Sequence, residues 1–301
     1  MQAKTVIVIT GPTASGKTDL AISVARHFQT SIISADSRQC FRELNIGVAK
    51  PRHTQLEAVK HEFINSHSIH EEVNAAIFES LALKWCDEYF ISRDIVVMTG
   101  GTGLYIKAFR EGLDEIPPIR QGVRKNVLQL YEDKGLEGLK EMIRIADPVY
   151  SQTGEISNPQ RVMRALEVVN STGRSILSFR NGKKTLRPFR ILEFAIRLTR
   201  QELYQRINTR VDRMMEQGLL DEVTSLFPYR QLNALQTVGY TELFDFLEGK
   251  SDLEESIKSI KQNTRHYAKR QLTWLNKSKD LVWLDERYLE NILAALKDSR
   301  T

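Results

Sequence analysis

Eight residues, Gly11-Pro-Thr-Ala-Ser-Gly16-Lys17-Thr18, follow the pattern G-x-x-x-x-G-K-S/T. The two glycines let the main chain curl with its N–H groups inward, the lysine reaches terminal phosphates, and the hydroxyl can hold a magnesium ion. Gly11, Pro12, Thr13, Ala14, Ser15, Gly16, Lys17 and Thr18 are therefore candidate phosphate ligands, with Thr18 the candidate contact to Mg²⁺. The pattern is of the nucleotide-binding, ATP-binding type. It specifies that a phosphorylated ligand binds, not that phosphate is transferred.

An ATPase pairs such a loop with a carboxylate at the end of another buried strand. The apolar run Asp94–Met98 instead leads into Thr99-Gly-Gly-Thr102-Gly-Leu-Tyr105, where hydroxyls and glycines replace the acid. The best-placed carboxylate is Asp36, in Ser34-Ala-Asp36-Ser37-Arg38-Gln39. Strand ends of a parallel sheet share one crevice, so Asp36, Thr102 and the phosphate loop are expected to meet there. Asp36 can be a turn cap, a magnesium ligand or a general base.

A second chemistry is basic. Ser256–Lys279 holds seven Lys or Arg and no acid, with Lys258, Lys261, Arg265 and Lys269 at helical spacing and Tyr267 and Trp274 among them. Cations interleaved with aromatics suit phosphate contact plus base stacking. In Asn158-Pro-Gln160-Arg161-Val-Met-Arg164, the two arginines stand one turn apart on a helix opened by proline. Together the two patches point to an RNA-sized anion.

These groups need a scaffold. Val6–Ile9, Ser31–Ala35 and Asp94–Met98 are short apolar runs of the kind that parallel strands buried on both faces require, and helical periodicity separates them. Strand character returns at Ile191–Leu198, followed by Thr199-Arg-Gln-Glu202 with capping-box spacing and a helix to Gly218. Between them, from Ile119 to Arg187, only helical periodicity is found. Residues 119–190 carry 14 Lys+Arg against 7 Asp+Glu, although the whole chain is only +5. The expected fold is α/β, a P-loop parallel sheet covered by helices, with an inserted all-helical domain. Residues 1–118 plus 188–301 form the core, and 119–187 the basic insertion.

At 301 residues, 41% hydrophobic and 27% charged, the composition is that of a soluble globular protein. No apolar run nears the ~20 residues of a membrane span. Cys40 and Cys86 are too few for a disulfide framework or a metal cluster. A cytoplasmic protein is expected.

On these motifs the chain resembles the tRNA dimethylallyltransferases, also called tRNA isopentenyltransferases. The matching pieces are Gly11–Thr18, Asp36–Gln39, Gly47–Pro51, Gly100–Tyr105, Asn158–Val168, Val238–Tyr240 and Thr264–Trp274. Two departures are Val48, where the family has Thr, and Gly154–Asn158, which lacks an Asp between the Asn and Pro of the family motif. The resemblance implies transfer of a dimethylallyl group from dimethylallyl diphosphate to N6 of adenosine 37 in tRNA. It implies a phosphate loop that grips the pyrophosphate leaving group with Mg²⁺ on Thr18, and Asp36 as the base. Lys17 and Arg210 would neutralise the leaving group, and Thr13 and Thr102 would flank the reacting carbon. The anticodon stem-loop would be held by Asp36, Ser37, Arg38, Gln39, Thr102, Arg124, Gln160, Arg161, Val162, Met163, Arg164, Arg265, Lys269 and Arg270, with the protein a monomer free of membranes. A small-molecule kinase and a non-catalytic RNA-binding ATPase are the competing readings.

Overall fold

The computed structural model describes residues 4–152, 155–180, 182–285 and 288–298. Its strands are β1 (Thr5–Thr10), β2 (Ile32–Ser34), β3 (His61–Glu62), β4 (Ile95–Gly100), β5 (Arg190–Ile196) and β6 (Val282–Leu284). They form one sheet in the order β3-β2-β4-β1-β5-β6, with every pairing parallel. β1 and β4 are buried along their whole length, which is why they read as unbroken apolar runs rather than alternating ones.

The helices of this unit are α1 (Lys17–His27), α2 (His53–Ala58), α3 (Ala75–Phe90) and α4 (Gly103–Glu111). Successive strand residues face opposite sides. Val6, Val8, Val96 and Met98 pack with Phe78 and Ala82 of α3 and Ile106 and Phe109 of α4. Ile7, Ile9, Ile32 and Val97 pack with Leu20, Ala21 and Val24 of α1. Each such side chain taken fully from water contributes about 1.5–3 kcal/mol.

The inserted helices are α5 (Val123–Ala146), interrupted at Gly135, α6 (Pro148–Ser151) and α7 (Pro159–Thr172). The Asn158 side chain caps α7 and Pro159 occupies its first turn, as the sequence indicates. These helices have a core of their own, built on Val127, Leu139, Ile143, Tyr150, Val162 and Leu166. The compact unit spans Glu111–Thr185, whereas the change in periodicity places its limits at Ile119 and Arg187. The physical reason for the later limit is Arg187. Its guanidinium donates to the Phe109 and Ala108 carbonyls and to Glu79, all in the sheet unit. At the start, the Pro117-Pro118 break in periodicity lies inside the unit: Ile116 and Ile119 both pack on its core.

The chain returns to the sheet unit with α8 (Arg200–Glu216), α9 (Leu219–Leu226), α10 (Tyr240–Leu247), α11 (Leu253–Leu275) and α12 (Tyr288–Asp298). The Thr199–Glu202 capping box is formed. Among the described residues no helix is long and apolar enough to cross a membrane.

Candidate functional site

β1 runs straight into the phosphate loop, and Gly16, at φ +92°, turns the chain into α1. That left-handed conformation is one glycine adopts without steric cost. The loop is braced from α8, one turn apart: Arg210 Nη1 donates to Thr13 Oγ1 at 3.0 Å, and Arg206 Nη1 donates to the Ser15 carbonyl at 3.4 Å. Lys17 Nζ donates to the Pro12 carbonyl at 3.3 Å. Burial first, and then the Arg210 charge, pulls the Lys17 pKa from 10.5 down to about 8, with Asp36 opposing the shift. Burial also lowers the pKa of Arg210, again against Asp36. Two cations crowded together beside a single carboxylate is what a site awaiting a polyanion looks like.

Asp36 follows β2. Its Oδ1 accepts the backbone N–H groups of Arg38 at 2.9 Å and Gln39 at 3.3 Å. The carboxylate therefore caps a turn with one oxygen and leaves the other, Oδ2, without a hydrogen-bond donor among the described residues. Thr102 Oγ1 accepts the Ser37 N–H at 3.0 Å, so the loops after β2 and β4 meet, as parallel strand ends must. A cavity of about 160 Å³ is lined by Thr13, Lys17, Thr18, Asp36, Arg210 and Tyr267. Burial first and then Asp36 push the Tyr267 hydroxyl up to about 12. Thr102 lines a neighbouring cavity of about 310 Å³ with Arg270 and Trp274.

The roof of the site is the loop after Asn45. Glu222 of α9 accepts the N–H groups of Asn45, Ile46 and Gly47 at 3.1, 2.8 and 3.1 Å, and the Tyr240 hydroxyl at 2.6 Å. Gln39 Nε2 donates to the Val48 and Ala49 carbonyls. Val48 lines the cavity, joined by Ile207, Val211, Met214 and Val238. The pocket is thus cationic at one wall and apolar at another.

Among the described residues no three His, Cys, Asp or Glu side chains stand together to hold a metal. A magnesium ion on a diphosphate does not need them. It takes most of its oxygens from phosphate and water, with one or two from protein. The Thr18 hydroxyl and Asp36 carboxylate, hard oxygen donors lining the same cavity as Lys17, fit that requirement.

The RNA-facing candidates fare unevenly. Val162 and Met163 are buried in the helical unit's core at 0% and 8% exposure, so their side chains pack rather than reach a ligand. Alternation along α7 leaves Gln160 and Arg161 exposed and Arg164 half-buried. Arg161 pairs with Glu155 at 3.1 Å, Arg164 with Glu167 at 3.1 Å, and Arg124 with Glu167 at 3.6 Å. On α11 two of the seven cations of the acid-free run are paired from outside it: Lys258 with Glu254 and Lys261 with Asp212. Arg265 donates to Asn208 Oδ1 at 2.8 Å and is half-buried, whereas Lys269 and Arg270 are exposed. Arg38 donates to the Gln236 carbonyl, and the amide protons of Gln39 are used within the loop. Gly154, in the second departure, lies outside the described residues.

Three side chains of the site are not singled out by the motifs, although Gln271 lies within Thr264–Trp274. Arg206 stands one helical turn before Arg210 and reaches the Ser15 carbonyl. Gln271 of α11 accepts the Thr13 N–H at 2.8 Å and donates to the Gly101 carbonyl at 2.9 Å. His61 lines the cavity from β3, and its two-residue strand leaves no periodic signal.

A family model described as IPP transferase matches residues 39–278. A tRNA dimethylallyltransferase of Christiangramia forsetii is 47% identical over 279 residues, covering 93% of this chain and 92% of the relative. One from Cytophaga hutchinsonii is 45% identical over 280 residues, with the same coverage. Among solved structures, the full-length tRNA isopentenylpyrophosphate transferase of Bacillus halodurans matches with TM-score 0.73 and 31% identity, covering 99% of this chain and 98% of that one. A eukaryotic dimethylallyltransferase acting on tRNA matches with TM-score 0.81 and 25% identity, covering 99% of this chain and 79% of its own.

Proposed function

The chain belongs to the IPP transferase family, and on that premise we propose that it is a tRNA dimethylallyltransferase. It moves a dimethylallyl group from dimethylallyl diphosphate to N6 of adenosine 37, beside the anticodon, as a cytoplasmic monomer. The observation that carries this reading is one cavity lined by phosphate-loop residues, the cations Lys17, Arg38 and Arg210, and a carboxylate with an open oxygen. β4, meanwhile, ends in Thr99 and Gly100, where an ATPase needs an acid.

The reaction forms an N6–C1 bond and breaks the C1–O bond to pyrophosphate. An exocyclic adenine amine is a weak nucleophile, so proton removal must accompany attack. Asp36 takes that proton on Oδ2 while its turn hydrogen bonds hold Oδ1 in place. The phosphate-loop N–H groups, Lys17 and Arg210 stabilise charge growing on the leaving group. Thr13, fixed by Arg210 and Gln271, and Thr102 flank the carbon in transfer. Thr18 would hold Mg²⁺ against the diphosphate, where it would supply further neutralisation of the leaving group. The apolar wall of Val48, Ile207 and Met214 takes the prenyl tail. Ser37, Arg38, Lys269 and Arg270 receive the anticodon loop at the mouth, and Arg124, Gln160, Arg161 and Arg164 are the contacts offered by the helical unit.

Incubation of the protein with total tRNA, Mg²⁺ and labelled dimethylallyl diphosphate, followed by nucleoside mass spectrometry, tests the reading. N6-isopentenyladenosine is expected. Label transfer from ATP to a small acceptor, with none from the prenyl donor, would establish the kinase alternative.

A further inference from the structure

Residues 45–51 divide two cavities. Gly47, Val48, Ala49 and Pro51 line the cavity that contains Asp36. Asn45, Ile46, Ala49, Lys50 and Pro51 line a second one, of about 970 Å³, to which the exposed side chains of Arg206 and Arg213 also belong. Lys17, Thr18 and Arg210 line both cavities, so the two meet beside the phosphate loop. A diphosphate bound to Lys17 and Arg210, as in the proposed reaction, fills that junction and leaves the segment as the divide.

The divide hangs on one carboxylate. Glu222 Oε2 accepts the Asn45 and Ile46 N–H groups, and its Oε1 accepts the Gly47 N–H and the Tyr240 hydroxyl. Three successive N–H groups converging on an anion form a nest, filled here by a side chain of the protein itself. The Tyr240 ring lies so close to Gly47 that a Cβ there would come within 2.5 Å of it. Next along the chain, Gln39 Nε2 holds the Val48 and Ala49 carbonyls, and Ala49 stands at φ +47°. A residue with a side chain keeps that conformation only where its surroundings impose it. Part of the divide is therefore held against its own preference, and it will shift if its ties are cut.

A rigid divide has a chemical use. C1 of an allylic diphosphate reacts with water as well as with an amine. The water oxygen bonds to C1, the C1–O bond to diphosphate breaks and the water proton is lost to a base, giving dimethylallyl alcohol and pyrophosphate. A closed site suppresses such hydrolysis by keeping water out. We propose that Glu222 is a positioning residue that sets acceptor selectivity. It holds residues 45–47, and through them Val48 and Ala49, closed against water from the larger cavity, so that C1 meets the adenine amine. The proposal rests on the reading of the site as a prenyl-transfer site.

The test counts products. Full-length wild type, Glu222→Gln and Tyr240→Phe are each incubated with tRNA, Mg²⁺ and labelled dimethylallyl diphosphate, and the alcohol and the prenylated nucleoside are quantified. E222Q keeps the size of the side chain but turns one acceptor oxygen into a donor that faces N–H groups. Its ratio of alcohol to prenylated nucleoside should rise by about tenfold, the equivalent of one hydrogen bond to a charged group spent on opening the divide. Y240F keeps the ring on Gly47 and removes one bond of the four, so its ratio should rise less, in the same direction. A merely structural Glu222 would lower both products together, and an E222Q ratio at the wild-type value would overturn the proposal. If E222Q melts far below wild type, the decision passes to Y240F and Gly47→Ala. The added methyl of G47A pushes the segment off Tyr240 without altering the carboxylate, and a wild-type ratio in both variants overturns the assignment. Wild-type protein that transfers no prenyl group to tRNA would instead bring down the reading of the site itself.

Discussion

The carboxamide of Gln271 accepts the backbone N–H of Thr13 at 2.8 Å, while its other end donates to the Gly101 carbonyl at 2.9 Å. One buried side chain of α11 thereby ties the phosphate loop to the loop after β4. The fit is tight enough that a Cβ on Gly101 would lie 2.2 Å from Gln271 Nε2, which leaves glycine as the residue that permits the bridge. Thr13 is held at its main chain by Gln271 and at its hydroxyl by Arg210.

Gln271→Met, close to isosteric, leaves the Thr13 N–H and the Gly101 carbonyl unpaired. A fully buried unpaired group costs about 1–3 kcal/mol and these two are half-buried, so the urea midpoint should fall modestly at unchanged m-value. With Thr13 loosened, kcat/KM should drop by about tenfold, since small misplacements of reacting groups are costly. A variant with wild-type stability and wild-type kcat/KM would show that the bridge positions nothing.

Asp36→Asn keeps an oxygen to accept from Arg38 and Gln39, so the turn should survive. Loss of the base should lower single-turnover rate by a factor of about 10² or more, with tRNA Kd nearly unchanged. A risen tRNA Kd with a normal single-turnover rate would make Asp36 an RNA-positioning residue instead.

Lys17 gives the pH dependence. Its folded pKa, about 8, lies below the ordinary 10.5, so between those values the unfolded chain binds more protons than the folded one. The group's contribution to stability is full above 10.5 and is lost as pH falls through about 8. Lys17→Met should accordingly raise the melting temperature at pH 7 while abolishing tight diphosphate binding. In wild type, a bound diphosphate restores the ammonium, so donor binding near pH 8–9 should take up a proton and weaken as pH rises. Calorimetry in buffers of different ionisation enthalpy measures that uptake; no uptake in wild type, or the same uptake in Lys17→Met, would remove Lys17 from the phosphate contact.

The parts legible in the sequence are those with a local cause. Val6–Ile9 reads as a buried strand because both faces are covered, and Asn158-Pro159 reads as a helix start because cap and first turn are local. The contacts of Gln271 and Arg206 cross gaps that no spacing rule spans: Gln271 is 258 residues from Thr13, and Arg206 is 191 from Ser15. The opposite error arises at Val162 and Met163, where a motif names consecutive residues although a helix turns only some of them outward. The basic run on α11 misleads for a third reason. Its acid partner Asp212 comes from α8, so charge counted along the chain differs from charge on the surface.

The last prediction concerns the helical unit. Its ends meet, the Thr185 N–H donating to the Glu111 carbonyl at 2.8 Å, so a short linker can replace what lies between them. All phosphate-loop residues, Asp36 and α8 lie in the other unit, which has its own buried core. The shortened protein should fold and bind dimethylallyl diphosphate with wild-type affinity. Its tRNA binding should weaken, with a shallower dependence of log K on log salt, because each lost phosphate contact removes about 0.7–0.9 from the slope. Arg161 and Arg164 are held in ion pairs with Glu155 and Glu167. The Arg161–Glu155 pair is largely exposed, and such pairs are worth only about 0–1 kcal/mol, so phosphate can displace that carboxylate; Glu167 is buried and gives up Arg164 less readily. Arg161→Ala with Arg164→Ala should flatten the slope by about 1–2 without touching donor affinity. Unchanged tRNA affinity and slope in both proteins would leave recognition to Ser37, Arg38, Lys269 and Arg270 in the sheet unit.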